Sequence, residues 1–219
     1  GIVSEIARIL GETEDAEKYM KLSRETAQAY RNILMDENCH IKGGDFQTAF
    51  VLPLYYNMLS GNDKKKTAAN LVNLIRDNNY NIKTGFPGTP YVLFALADNG
   101  YLEDAYKMLL TDTCPSWLYE VKAGATTMWE RWDALREDGS CNLGEDNGSG
   151  GMVSFNHYAN GAVGDFFYRR ILGIEATEGG YKTFRIAPQP GGGLSWAKGN
   201  VNTPYGRIRV SWTIENDRF

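Results

Sequence analysis

The run Gly124-Ala125-Thr126-Thr127-Met128-Trp129-Glu130-Arg131-Trp132-Asp133 sets one carboxylate between two tryptophans. Flat indole faces hold pyranose rings, and a carboxylate beside them can act on a water or a glycosidic oxygen. The pattern predicts a helix over 127–136 with Glu130 near its start. A second reading stays open: Thr127-x-x-Glu130 is also a capping box, in which Glu130 reaches back to the Thr127 N–H.

Four further segments concentrate polar and aromatic groups. In 43–48, Asp45 precedes an apolar run and can cap a buried helix. The Gly- and Pro-rich turn 84–91 aims Phe86 and Tyr91 at a common edge. In 115–120, Trp117 and Tyr119 form either a stacking wall or a cover for the core. In 154–161, His157 falls in the first turn of an expected helix, as a partner for a sugar hydroxyl or as a satisfied structural histidine.

The elements that must position these groups are mostly helical. Ile2, Ile6, Ile9 and Leu10 mark a short amphipathic segment ended by Gly11. A long candidate covers 14–35. Residues 45–59 are apolar nearly all round and predict a deeply buried helix, with Pro53 producing a kink or a late start. The stretch 63–77 turns Ala68, Leu71, Val72 and Ile75 inward. Helical candidates follow at 91–98, 102–110, 127–136 and 155–172. All-round apolar and two-faced helices therefore alternate, as in stacked hairpins of a toroid; an irregular bundle fits the same periodicity. After Gly179-Gly180 the pattern becomes β-like: 181–190 alternates, Gly191-Gly192-Gly193 reads as a flexible break, and 194–201 and 206–213 predict strands. So few strands must pack on the helical body or open a larger β-domain.

Bulk properties narrow the function. The 219 residues carry a net charge of −4, which excludes a polybasic nucleic-acid binder. No apolar run approaches the roughly 18–20 residues a bilayer span needs. Three dispersed cysteines, Cys39, Cys114 and Cys141, without a CxxC or a Cys/His cluster argue against a disulfide framework and a zinc site. Tyr 13, Phe 9 and Trp 5 suit either a carbohydrate-facing cleft or an aromatic core. The start at Gly1, without a basic and then apolar leader, reads as a fragment or processed product; cytoplasmic and exported locations both remain open.

Several stretches, in order, carry a resemblance. They are Gly44-Asp45-Phe46-Gln47-Thr48-Ala49, Thr84-Gly85-Phe86-x-Gly88-Thr89-Pro90-Tyr91, Pro115-Ser116-Trp117-Leu118-Tyr119, and the run 124–133. Ser154-Phe155-Asn156-His157-Tyr158, Gly161-Ala162-Val163-Gly164-Asp165, Phe184-Arg185-Ile186-x-Pro188 and Pro204-Tyr205-Gly206 complete it. Over residues 40–212 the chain resembles the distal part of the α-L-rhamnosidases of glycoside hydrolase family 78.

The resemblance implies a mainly α fold: a partial (α/α)6 six-hairpin toroid over 1–178, then over 179–219 the beginning of a C-terminal antiparallel β-domain. It implies inverting hydrolysis of terminal α-L-rhamnosyl residues, with Glu130 matching the general base and His157 a residue close to the sugar. Trp117, Trp129 and Trp132 become candidate walls, and Phe86 and Tyr91 candidate substrate contacts. Rhamnose-containing glycans or glycosides are the expected partners, with no nucleic acid, membrane, metal or organic cofactor. Inversion needs two carboxyls about 6.5–9.5 Å apart with a water beside the base. Rhamnose also carries a C6 methyl, whose burial contributes about 0.8 kcal/mol in an apolar pocket.

One departure matters. The family's general acid lies in an Asp-Glu-Arg-x-Gly-Trp type of motif, whereas Asp36-Glu37 here is followed by Asn38-Cys39. The helical segments are also fewer than six hairpins require. The expectation is a partial catalytic domain that holds the base, lacks the acid, and hydrolyses rhamnosides poorly or not at all alone. Exposed apolar faces would drive self-association or recruit a partner chain. The rival readings are another six-hairpin glycosidase or lyase, and a non-catalytic carbohydrate-binding domain.

Overall fold

The computed structural model describes residues 1–143, 151 and 153–215. It is mainly helical with a short antiparallel β segment towards the C-terminal end, and it divides into two compact units, Gly1–Tyr101 and Leu102–Phe219.

The first unit contains α1 (Ile2–Leu10), α2 (Thr13–Ala29) running into a π-helical turn at Tyr30–Leu34, α3 (Gln47–Tyr55), α4 (Gly61–Asp77) and α5 (Val92–Ala97). Helices α1 and α2 form a hairpin turned at Gly11, whose φ of 81° suits a residue without a Cβ. The side of α1 facing α2 is not the apolar one. Ser4 and Ala7 are buried, and the Ser4 hydroxyl donates to the Ala16 carbonyl at 2.7 Å. Ile2, Ile6, Ile9 and Leu10 are instead 64%, 51%, 78% and 70% exposed. By contrast, α3 is buried all round as its composition demands, enclosing Ala49, Phe50, Val51, Pro53 and Leu54. Pro53 lies within it, and the helix ends two residues later. The inward face of α4 is the expected one, with Thr67 added.

Asp45 does not cap α3; Phe46 occupies that position. The Asp45 carboxylate is already engaged, accepting the Ile41 N–H at 2.8 Å and meeting His40 Nδ1 at 2.6 Å, so it closes the loop before the helix. The buried Gln47 joins this loop region to residues 81–83, just before the 84–91 turn. Its Nε2 donates to the Asn81 carbonyl at 3.1 Å and its Oε1 accepts the Lys83 N–H at 2.7 Å. Thr84 and Thr89 share a hydroxyl hydrogen bond of 2.8 Å. Gly88 passes so close that a Cβ there would lie 2.6 Å from Thr48 Oγ1.

The second unit begins with α6 (Leu102–Leu110) and α7 (Trp117–Lys122), a helix the periodicity did not suggest. Ser116 caps it by accepting the Tyr119 N–H at 3.1 Å. It ends in a Schellman motif: the Gly124 N–H donates to Val121 O and the Ala125 N–H to Glu120 O, with Gly124 at a φ of 85°. No helix forms over 127–136; the backbone there is irregular. The helix expected from 155 begins only at a 3₁₀ turn, Ala159–Ala162, followed by α8 (Val163–Phe166) and a π turn at Phe167–Ile171.

Strands β1 (Ile174–Ala176) and β2 (Phe184–Ile186) pair antiparallel, and β3 (Trp196–Thr203) and β4 (Gly206–Thr213) form a hairpin around Pro204-Tyr205. The hairpin packs on the end of the helical run, where Trp212 Nε1 donates to the Ile171 carbonyl at 2.8 Å and a Cβ at Gly199 would lie 2.3 Å from Leu172 Cδ1. Gly191 is not simply a flexible break. The backbone there presses on the buried Tyr106 ring, where a Cβ would come within 2.3 Å, and the Tyr106 hydroxyl donates to the Gln189 carbonyl at 2.5 Å. On β1, Glu175 accepts from Arg169 of the π turn and Arg185 of β2 and faces the buried Arg170. Burial alone would raise its carboxyl, but these guanidinium groups hold it below the usual carboxylate range.

Two outcomes follow from these contacts. Gly88→Ala is expected to destabilise the protein by about 1–3 kcal/mol in urea titration, and adding Thr48→Ala should recover most of the loss. The depressed Glu175 carboxyl contributes stability above its unfolded pKa, lost as pH falls through the lower folded value. Arg169→Met should therefore lower stability by roughly 1–2 kcal/mol near neutral pH and have little effect in strong acid, as thermal melts across pH will show.

Candidate active site

The irregular loop after α7 has its own hydrogen-bonding logic, which explains why it is not a helix. Segment 127–130 runs beside segment 154–160 in the opposite direction. The Thr127 hydroxyl donates to Phe155 O at 2.5 Å, the His157 N–H to Met128 O at 2.8 Å, and the Glu130 N–H to Ser154 O at 2.9 Å. In return the Ser154 N–H donates to Glu130 Oε2 at 2.8 Å. The capping-box reading is thus replaced: Glu130 reaches a backbone N–H, but one 24 residues further along the chain.

The Glu130 side chain is half-buried, with Oε2 fixed by Ser154. Among the described residues no hydrogen bond reaches Oε1. A carboxylate oriented by one backbone donor, with its second oxygen uncommitted and within reach of solvent, can hold and deprotonate a water. His157, also half-buried, precedes the 3₁₀ turn rather than sitting in a helical first turn. Its Nδ1 accepts the Ala159 N–H at 3.4 Å, so the neutral ring carries its proton on Nε2. The imidazole stacks nearly parallel, at 5°, on the exposed Tyr158.

The tryptophans part company. Trp132 stays half-buried, edge-on to Trp117 at 5.4 Å. Trp117 and Trp129 are only 3% and 4% exposed, so the core reading applies to both. Trp129 packs edge-on against Phe155, among Tyr119 and Ala134. The expectation that these two rings wall a sugar is corrected by their burial; they support the loop from behind. Phe86 and Tyr91 belong to the first unit. Phe86 is 43% exposed, whereas Tyr91 stacks on Tyr55 at 4.1 Å and hydrogen-bonds Tyr56, whose hydroxyl is pushed up to about 12 by that bond.

Two residues not singled out from the sequence complete the arrangement. Asn160, 2% exposed, clamps both core tryptophans: its carbonyl accepts Trp117 Nε1–H at 2.9 Å and its Nδ2 donates to Trp129 O at 3.2 Å. Glu120, 1% exposed on α7, accepts the Trp129 N–H at 3.2 Å. Burial pushes its carboxyl up to about 7, against the opposing pull of that hydrogen bond. The signal for Glu120 was spacing: it stands three residues after Trp117, on the face a helix from 117 must bury. Beyond the loop, Asp133 accepts from Asn142 at 2.7 Å and the Tyr119 hydroxyl donates to Leu135 O at 2.7 Å.

Residues 1–171 match the sequence model of the bacterial alpha-L-rhamnosidase six-hairpin glycosidase domain, and residues 173–219 that of the bacterial alpha-L-rhamnosidase C-terminal domain. An alpha-L-rhamnosidase of Formosa agariphila is 36% identical over 99% of this chain, and one of Alteromonas sp. is 37% identical over 96%. Those matches span 23% and 22% of the relatives, so the chain covers less than a quarter of their length. Among solved structures, the Streptomyces avermitilis alpha-L-rhamnosidase complexed with L-rhamnose superposes with a TM-score of 0.89 at 36% identity, over 98% of this chain and 20% of that one. The Aspergillus terreus enzyme gives 0.90 at 34% identity, over 97% and 24%. The mainly helical chain with its antiparallel C-terminal segment is consistent with part of a six-hairpin toroid, and it belongs to the bacterial α-L-rhamnosidase six-hairpin glycosidase family.

Proposed function

We propose that this chain supplies the general-base side of an inverting α-L-rhamnosidase site. The observation that carries the reading is the half-buried Glu130 carboxylate, held at one oxygen by the Ser154 N–H, with His157 on the paired segment and the half-buried Trp132 two residues beyond Glu130. In this reading Glu130 takes a proton from the attacking water as the anomeric carbon gains oxocarbenium character. The His157 Nε2–H donates to a sugar hydroxyl, and Trp132 offers an apolar face to the C6 methyl. The second carboxyl, the acid, is assigned to a part of the longer relatives that this chain does not span. The division into a helical body over 1–178 and a β region over 179–219 belongs to the same proposal.

The outward apolar face of α1 supports the expectation of self-association, since Ile2, Ile6, Ile9 and Leu10 present adjacent apolar surface to solvent. Light scattering on the 219-residue chain should show species larger than a monomer, and rhamnoside turnover by that chain should stay near background. In the longer protein that completes the domain, Glu130→Gln should lower kcat on an aryl α-L-rhamnoside by about 10²–10⁴-fold. Calorimetry should show L-rhamnose binding within a few-fold of wild type. Unchanged turnover in this variant would overturn the base assignment and leave a carbohydrate-binding domain as the better reading.

A further inference from the structure

Glu120 has no part in the inverting scheme, yet it is held where a carboxyl is least at home. It sits on the inward face of α7 with Trp117 and Tyr119. Its Oε1 is one of two buried side-chain oxygens without a hydrogen-bond partner among the described residues. A buried carboxylate with one bare oxygen is unfavourable, and an apolar side chain of similar length would fill the same space without that cost. Such a group is explained by what its satisfied oxygen does. Oε2 accepts the N–H of Trp129, the residue immediately before Glu130.

The restraints on the 127–130 loop come from two directions. Ser154, Phe155, His157 and Asn160 hold it from the paired segment, contacting Thr127, Met128, Trp129 O and Glu130. Glu120 holds it from α7, at the opposite pole of the Trp129 residue: N–H to Glu120, C=O to Asn160. Fixing both ends of one residue fixes the rotation of the peptide that leads into Glu130. The direction in which the Glu130 carboxylate leaves the chain depends on that rotation. A misplacement of about 1 Å at a reacting group can cost on the order of 10²-fold in rate.

We propose that Glu120 is a positioning residue: from the core, its carboxylate fixes the Trp129 N–H and thereby aims the Glu130 carboxylate at the attacking water. The proposal rests on the reading of Glu130 as the general base. Its function is geometric, and any acceptor of the same reach should serve.

The test compares Glu120→Gln, Glu120→Met and Glu130→Gln in the longer protein, with steady-state kinetics on an aryl α-L-rhamnoside and thermal melts. Glu120→Gln keeps an amide oxygen for the Trp129 N–H and should retain kcat within about threefold. Glu120→Met fills the same volume without an acceptor. It should lose 10- to 100-fold in kcat with KM within twofold, while its Tm matches or exceeds that of wild type. Wild-type kcat in Glu120→Met, or an equal loss in Glu120→Gln, would overturn the proposal. If Glu120→Met does not fold, amide exchange of Trp129 in wild type and Glu120→Gln decides: strong protection in both supports it, and exchange at the rate of an unstructured peptide in wild type ends it. Glu130→Gln separates the two readings. Retained turnover there removes the base itself, whereas an inactive Glu130→Gln beside a normal Glu120→Met removes only the positioning.

Discussion

Everything at the candidate site depends on the pairing of two irregular segments, 127–130 and 154–160. Residues 127–130 and 154–158 form neither strand nor helix, so they do not satisfy their own backbone groups; each segment supplies what the other lacks. Thr127 meets Phe155, Met128 meets His157, Trp129 meets Asn160 and Glu130 meets Ser154. This arrangement puts a carboxylate and an imidazole from distant parts of the sequence within one small network. Catalytic groups are often carried on loops that a rigid scaffold positions. Here α7 and the 3₁₀ turn at Ala159–Ala162 are that scaffold, and two buried polar side chains connect them to the loop.

The aromatic content serves two ends that composition could not separate. Trp117 and Trp129 are sealed, and their polar groups are matched by Asn160 and Glu120. Trp132, only a few residues along, keeps an accessible surface against Trp117. A tryptophan-rich run near a carboxylate therefore reads partly as site and partly as the foundation beneath it. The foundation is costly, since each buried polar group must find a partner or remain unsatisfied. Asn160 finds both of its partners, while Glu120 finds one.

Much of the helical frame was legible because its determinants are local. All-round apolar α3 and two-faced α4 follow from spacing alone, and α6 was read with its observed ends. Where tertiary partners compete, local signals misled. Thr127-x-x-Glu130 has the form of a helix start, yet Glu130 finds its donor at Ser154, and the backbone follows. Asp45 has the form of a cap but is engaged by Ile41 and His40. Helix α7 is six residues long, too short for periodicity to show. In α1 the stripe was read correctly but not its direction, because facing small residues let α1 and α2 approach through Ser4 and Ala7. Glu130 and His157 stood out by residue type. Glu120 and Asn160 did not, since their work is done on backbone groups that sequence does not advertise.

The Glu130 carboxylate is oriented by a main-chain amide, not by another side chain. Its alignment is therefore indifferent to the chemical character of residue 154, which needs no hydroxyl, charge or particular bulk to make the bond. Drift at that position should leave the geometry intact across almost the whole amino-acid alphabet. Proline is the exception, because its nitrogen has no hydrogen to give.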